Sequence, residues 1–185
     1  MEAMFSEIQR RIDKIKRSSI SEADTQAILV EPILSFAGFD VSNVFEVKRS
    51  ESDVDLKVYK GGNLLIGIEV KRVGSDEFNI CKEGKEVSEE VGKLTFNEEK
   101  KKYENEPGDG VGQLRRYALE SEPRVAILTN GVKWGVFKDV EAFIENPQKP
   151  LSPDFFKKSS NFECFDIENM GDFKRLIKFL RELIF

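Results

Sequence analysis

A chain of 185 residues, 39% hydrophobic and 34% charged, has the length and composition of one globular domain with a heavily charged exterior. It contains no histidine, which excludes Ser-His-Asp and Cys-His nucleophile systems, histidine-based nucleases and most zinc hydrolases. The net charge of -5 speaks against a protein that simply coats nucleic acid, but not against a hydrolase that gathers carboxylates around a cation.

The opening Met1 to Ser6 lacks the basic-then-apolar order of a secretory signal, and no apolar run approaches the roughly 20 residues of a membrane span. Cys81 and Cys164 stand far apart without metal-ligand spacing and read as idle thiols in a reducing compartment. The expectation is a cytoplasmic protein. Met4, Phe5, Ile8, Ile12 and Ile15 recur at helical steps and predict a first amphipathic helix. Ser21 to Asp24 supplies a hydroxyl cap and early acids for a second helix, which Pro32 kinks and Gly38 ends. The period then changes. Val44 to Lys48, Val54 to Tyr59 and Leu64 to Lys71 read as three strands, with a glycine turn between the last two. From Gly74 to Gly112 the sequence is charged and irregular, which predicts a mobile insertion over about 74–110, with at most one frayed helix and a hinge at Gly108 to Gly112. Val111 to Ser121 returns to helix, Val125 to Thr129 and Lys133 to Lys138 form a hairpin about Asn130-Gly131, and Phe173 to Ile184 is a final helix with a core-packing face. Helix, three strands, helix, two strands, helix predicts an α/β sandwich.

The middle hairpin carries the chemistry. Strand side chains alternate between faces, so Val54, Leu56 and Val58 share one face and leave Asp55, Lys57 and Tyr59 on the other. Likewise Leu64, Ile66, Ile68 and Val70 leave Leu65, Gly67, Glu69 and Lys71 opposite. A two-residue loop at Gly61-Gly62 would set Asp55 across from Ile68; a three-residue loop, Gly61-Gly62-Asn63, sets it across from Glu69. Carboxylates opposed at about 5 Å repel, and a divalent cation between them removes the conflict. Lys71, two residues beyond Glu69, reaches the same pocket, where it orients water or offsets charge growing on a phosphate. Gly67 leaves room for a backbone to approach. Asp53 shares the parity of Asp55 and is the substitute should the register slip. Glu-x-Lys alone means little, because Glu46-Val47-Lys48 and Glu83-Gly84-Lys85 match it too; exposed strands often carry such alternating charges. What separates Glu69-Val70-Lys71 is the apolar strand before it and the acid on its neighbour.

Val54-Asp55-Leu56 followed by Ile66-Gly67-Ile68-Glu69-Val70-Lys71-Arg72 resembles the PD-(D/E)XK nucleases, and more narrowly is similar to the N-terminal nuclease domain of type I restriction enzyme R subunits. Ser21 to Gln26 with Glu31-Pro32-Ile33-Leu34 and Gly38-Phe39-Asp40 resembles the family's opening helix. Gln113-Leu114-Arg115-Arg116-Tyr117 resembles its Gln-x-x-x-Tyr helix, and Ile127 to Trp134 its hairpin. The resemblance covers roughly Ser21 to Lys138. It implies a restriction-endonuclease-like three-layer sandwich over 1–185, with a central mixed β-sheet flanked by helices. It also implies metal ligands at Asp55, Glu69 and the Val70 carbonyl, a catalytic Lys71, a supporting Gln113, and Glu22 as a further acid near the metal. The implied cofactor is Mg²⁺, with Mn²⁺ as a substitute. The insertion is long for the family, and no Gly-x-x-x-x-Gly-Lys-Ser/Thr loop is present, so the chain is not a whole motor-driven restriction enzyme.

Lys48, Arg49, Arg72, Arg115, Arg116 and Tyr117 flank the hairpin and helix and are the candidate DNA contacts, set to neutralise phosphates on either side of a cut. The expectation is a DNA endonuclease, standalone or within a restriction-modification or repair assembly, with partner subunits or a second copy of the chain as further partners. The alternative is an inactive DNA-binding or scaffold module of the same fold.

Overall fold

The computed structural model describes residues 1–18, 20–43, 46–49, 54–75, 80–81 and 91–184. Helix α1, Glu2–Lys16, buries Ile8, Ile12 and Ile15 as their spacing requires. Helix α2, Glu22–Thr25, opens on a capping box in which the Ser21 hydroxyl accepts from the Asp24 N–H and the Asp24 carboxylate accepts from the Ser21 N–H, both at 3.1 Å. A π-helical turn, Gln26–Val30, leads into α3, Glu31–Ala37. Pro32 has no N–H to offer the Ile28 carbonyl four residues back, and the Arg11 guanidinium donates to that oxygen at 3.0 Å. The expected kink is thus a π-turn satisfied from α1.

Strands β1, Val47–Arg49, β2, Leu56–Lys60, and β3, Asn63–Val70, form an antiparallel meander. Residues 44 and 45 of the expected first strand lie outside the described residues, as does Asp53. After β3 come a separate hairpin of β4, Leu94–Asn97, and β5, Lys102–Asn105, then α4, Gly110–Ser121. Strands β6, Val125–Thr129, and β7, Lys133–Phe137, pair as expected. Two short helices, α5, Val140–Ile144, and α6, Pro153–Lys157, precede β8, Phe162–Asp166, and α7, Met170–Ile184. The main sheet runs β1-β2-β3-β6-β7-β8 and is mixed, since only β3 and β6 are parallel.

Both faces of this sheet are buried. On one, α1, α3 and α7 cover Leu56, Val58, Ile66, Ile68, Val70, Val125 and Ile127. On the other, α4, α5 and α6 cover Ala126, Leu128, Phe137 and Phe162. Neighbours along β6 alternate between the two clusters, which explains why its sequence is continuously apolar.

Four expectations are corrected. The 74–110 segment, expected to be irregular, contains a β-hairpin among its described residues, while residues 76–79 and 82–90 of the expected insertion lie outside them. The Gly108 to Gly112 stretch is no hinge: the Asp109 carboxylate caps α4 through the Gly112 N–H at 2.9 Å and also accepts from the Gly92 N–H at 3.0 Å. Val54 precedes β2 and packs in the α4 cluster, not with Leu56 and Val58. Cys81 and Cys164 are joined in a disulfide, their Cα atoms 5.6 Å apart across 83 residues of sequence. Disulfides belong to oxidising compartments, so the two cysteines no longer argue for the cytoplasm. Among the described residues no helix is long and apolar enough to cross a membrane.

The disulfide closes a loop long enough to stabilise the fold by about 4–5 kcal/mol through the unfolded state. Reduction should lower the urea midpoint by a matching amount. Thiol counting on the denatured, unreduced protein should find none, and two reactive thiols there would contradict the bond.

Candidate functional site

The Gly61-Gly62 turn has both residues at positive φ, +57° and +84°, the combination a two-residue type I′ hairpin requires. Lys60 pairs with Asn63 and Tyr59 with Leu64, so the loop has two residues, not the three expected. Register then shifts: Val58 pairs with Ile66, which leaves Leu65 as a bulge. Leu65 enters the same cluster as Ile66. Downstream Lys57 faces Gly67 and Leu56 faces Ile68, and continuing that register by one residue sets Asp55 opposite Glu69. The bulge does what the extra loop residue was expected to do.

Asp55 and Glu69 therefore stand on the face covered by α4. The Asp55 Oδ2 accepts from the Val70 N–H at 2.6 Å. A strand residue's N–H and C=O leave the backbone on the same side, so the Val70 carbonyl is directed toward the Asp55 side. Glu69 is 1% exposed. Its Oε1 receives the Lys71 ammonium at 2.8 Å, while its Oε2 is buried with no hydrogen-bond partner among the described residues. Lys71, 8% exposed, also donates to the Gln113 Oε1 at 3.2 Å, and its backbone N–H is held by the Thr129 carbonyl at 2.7 Å.

Burial pushes the Glu69 carboxyl up to about 8; the neighbouring Asp55 charge adds to the rise and Lys71 opposes it without cancelling it. Burial likewise raises Asp55, against the pull of the Val70 N–H, and Glu22 raises both groups by its charge. Glu22 sits at the start of α2, exposed. Among the described residues no group of three or more His, Cys, Asp or Glu is arranged to hold a metal ion, so Glu22 does not join the two acids as a third ligand. A hard divalent cation nevertheless fits what is present. Magnesium takes one or two carboxylates plus water and phosphate oxygens, and the donors here are two crowded carboxylates, one with a buried oxygen that lacks a partner, and a peptide carbonyl directed toward them.

The remaining candidates separate. Gln113 and Tyr117, four apart on α4, share the face that meets β3. Gln113 reaches Lys71, whereas Tyr117 is 1% exposed and its ring fills the space a side chain at position 67 would need. A Cβ built on Gly67 would lie 2.4 Å from the Tyr117 ring. The glycine thus admits an aromatic ring rather than an incoming backbone, and Tyr117 is a packing residue, not a phosphate contact. Arg115 is also no phosphate contact. It is 1% exposed and donates to the carbonyls of Gly92, Phe143, Glu145 and Lys149, with burial lowering its pKa to about 10. Arg49 leaves the site too: it lies on the opposite face and donates to both Glu31 oxygens at 2.7 and 2.8 Å. Burial would raise the Glu31 carboxyl, but Arg49 and Gln26 outweigh it and hold it low. Lys48 and Arg72 are exposed, and Arg116 is half-buried beside Asn105 and Glu120. Comparison with family models, curated proteins and solved structures returns no match.

Sequence reasoning missed Thr129, whose carbonyl fixes the Lys71 backbone, and Lys57, whose ammonium lies 5.2 Å from the Tyr117 ring centre. The parity of Lys57 with Asp55 was the available signal; nothing in the sequence pointed to the Thr129 carbonyl.

Glu69 is protonated in the native state up to about pH 8 and ionised above about 4.5 when unfolded. The native state therefore binds more protons across that window, and stability falls as pH rises through it. Urea unfolding from pH 5 to 9 should show a loss of a few kcal/mol in the metal-free protein, a flatter profile for Glu69→Gln, and recovery at the alkaline end with magnesium. Arg115→Met leaves several buried carbonyls unpaired and should cost about 3 kcal/mol or more in the same assay. A near-neutral effect would contradict the inward assignment.

Proposed function

We propose that this chain is a divalent-metal-dependent endonuclease of the PD-(D/E)XK type, with a restriction-endonuclease-like sandwich fold, that hydrolyses DNA phosphodiester bonds. On this reading it acts alone or within a restriction-modification or repair assembly. The observation that carries the reading is the convergence of Asp55, just before β2, Glu69 on β3, Lys71, just after β3, and Gln113 on α4. The mixed central sheet flanked by helices is compatible with a three-layer sandwich.

Asp55, Glu69 and the Val70 carbonyl would hold Mg²⁺, or Mn²⁺ in its place. Magnesium, when bound, supplies Lewis acidity toward a phosphoryl oxygen and lowers the pKa of water. The protein's own groups do the rest. Gln113 and Glu69 hold the Lys71 ammonium beside the acidic pair, where it offsets negative charge growing on the phosphate. The Val70 N–H fixes the Asp55 carboxylate in its rotamer.

A second reading is favoured by one observation, the depth of burial. Glu69 at 1% and Lys71 at 8% exposed also suit a sealed ion pair in an inactive DNA-binding or scaffold module.

The two readings part in one assay. Purified protein with magnesium should nick plasmid DNA or degrade single-stranded DNA, and Asp55→Asn, Glu69→Gln and Lys71→Met should each lose at least about 100-fold in rate while keeping their circular dichroism. Calorimetry should detect ion uptake by the native chain and not by Asp55→Asn. Uptake without cleavage selects the scaffold, and cleavage that survives all three substitutions removes the assignment.

A further inference from the structure

The parallel strands β3 and β6 end side by side, and the chain beyond them frames a cavity of about 310 Å³. Open α/β sheets bind ligands in the crevice outside the carboxyl ends of such strands. Ile15 near the end of α1, Val73 beyond β3 and Val132 in the turn between β6 and β7 give this cavity apolar walls, and Asn130 of the same turn adds a polar one. Asn130 is 6% exposed. Its side-chain oxygen accepts from the Val132 and Lys133 N–H groups at 3.1 and 2.7 Å, whereas its amide nitrogen donates to nothing among the described residues. An unmade hydrogen bond on a nearly buried amide costs free energy and calls for a partner. The turn that holds the amide plane is itself fixed, because the Thr129 hydroxyl donates to the Lys133 carbonyl and accepts from the Gly131 N–H, both at 2.9 Å. Charge lies at the rim, where Lys16 pairs with Glu168 at 2.5 Å and Lys133 with Asp166 at 3.5 Å. Backbone joins the cavity to the acidic site. The Lys71 N–H is held by the carbonyl of Thr129, the residue before Asn130, and Val73 lies two residues beyond Lys71, at most about 7 Å along the chain.

We infer that this cavity receives one nucleobase of the substrate strand, turned out of its stack, while a neighbouring phosphate is presented to Asp55 and Glu69. This rests on the nuclease reading and extends it to which substrates are preferred. The volume lies at the small end of ligand sites, which suits one flat ring system and not a stacked pair. Apolar walls match the faces of a base, and Asn130 matches its edge. With its oxygen committed to the turn, Asn130 can only donate. It therefore selects a base edge that offers acceptors, such as the carbonyls of thymine. An ammonium has three donors, so Lys16 and Lys133 can reach a flanking phosphate without leaving their carboxylates. Turning a base outward costs least where it is already unpaired. The cavity thus favours single strands and unpaired bases over intact duplex.

Nuclear magnetic resonance on the isotope-labelled full chain reads the cavity directly. Thymidine 5′-monophosphate should shift the Asn130 side-chain amide signal, and deoxyribose 5-phosphate, which lacks the base, should not. Fluorescence anisotropy of a labelled single strand and of its duplex, in calcium, reads the substrate. The native chain should hold the single strand about five- to tenfold more tightly. Asn130→Asp keeps the acceptor the turn uses and loses the donor, while Val73→Phe fills the cavity from a half-buried position. Each should abolish most of the single-strand preference and leave duplex affinity unchanged. Val73→Phe leaves the Asn130 turn intact, so it gives a reading even if Asn130→Asp unsettles the fold. Native cleavage with no shift of the Asn130 amide and no strand preference overturns the base site and leaves the nuclease reading standing. Equal shifts with nucleotide and with deoxyribose 5-phosphate make the cavity a phosphate site and overturn the base assignment. A native chain that neither binds nor cleaves DNA overturns both readings.

Discussion

A carboxylate buried beside another carboxylate is the constraint on which the rest of this structure turns. Neither Asp55 nor Glu69 is placed where an acid is comfortable: burial raises both, each is near further negative charge, and one oxygen of Glu69 has no partner among the described residues. A sheet selected for stability alone would put aliphatic residues there, since an unpaired buried charge costs several kcal/mol. Instead the surrounding groups are spent on holding the pair in position. The Val70 N–H fixes Asp55, Lys71 bridges Glu69 to Gln113, and the Leu65 bulge shifts β2 by the one residue needed to bring the two acids opposite.

The support extends outward through α4. Gln113 and Tyr117 press on β3 only if the helix is fixed in rotation and height, and two polar residues, the half-buried Asp109 and the buried Arg115, do that. Asp109 caps the helix while holding Gly92, and Arg115 draws the carbonyls around Phe143 to Lys149 onto the far side of the same helix. A guanidinium with only carbonyl partners pays its desolvation through many hydrogen bonds rather than through one ion pair. The outcome is a rigid brace made from loop backbone that has no sheet to bond to.

How much of this was legible follows from what each signal depends on. Periodicity marks elements that bury one face, so α1, α7, β6 and β7 were readable from their apolar spacing. Strand β8, with its mixed Phe162-Glu163-Cys164-Phe165-Asp166, and the five-residue helices α5 and α6 are too short or too irregular to carry that signal. Parity put Asp55, Glu69 and Lys71 on one face, but for a different reason from the expected one, since loop length and bulge position compensate and the sequence shows only their sum. Arg115, Arg49 and Tyr117 were misread because a charged or amphipathic residue looks the same in sequence whether its head meets solvent, a carboxylate or backbone carbonyls. The disulfide was invisible for a related reason: separation along the chain says nothing about how a connecting segment returns.

The acidic total charge and a polyanionic substrate are compatible because electrostatics in salt water is local. Exposed charges beyond about 8–10 Å are largely screened, so a phosphate near the site responds to the charges around it rather than to the net charge of -5. In the metal-free protein those charges nearly offset one another, because Glu69 is protonated near neutral pH and the Lys71 ammonium lies beside the acids. On the proposed reading a divalent cation tips that balance. It would keep Glu69 ionised and neutralise both carboxylates, which leaves the Lys71 charge to meet a phosphate. Substrate binding and metal uptake are then coupled through charge.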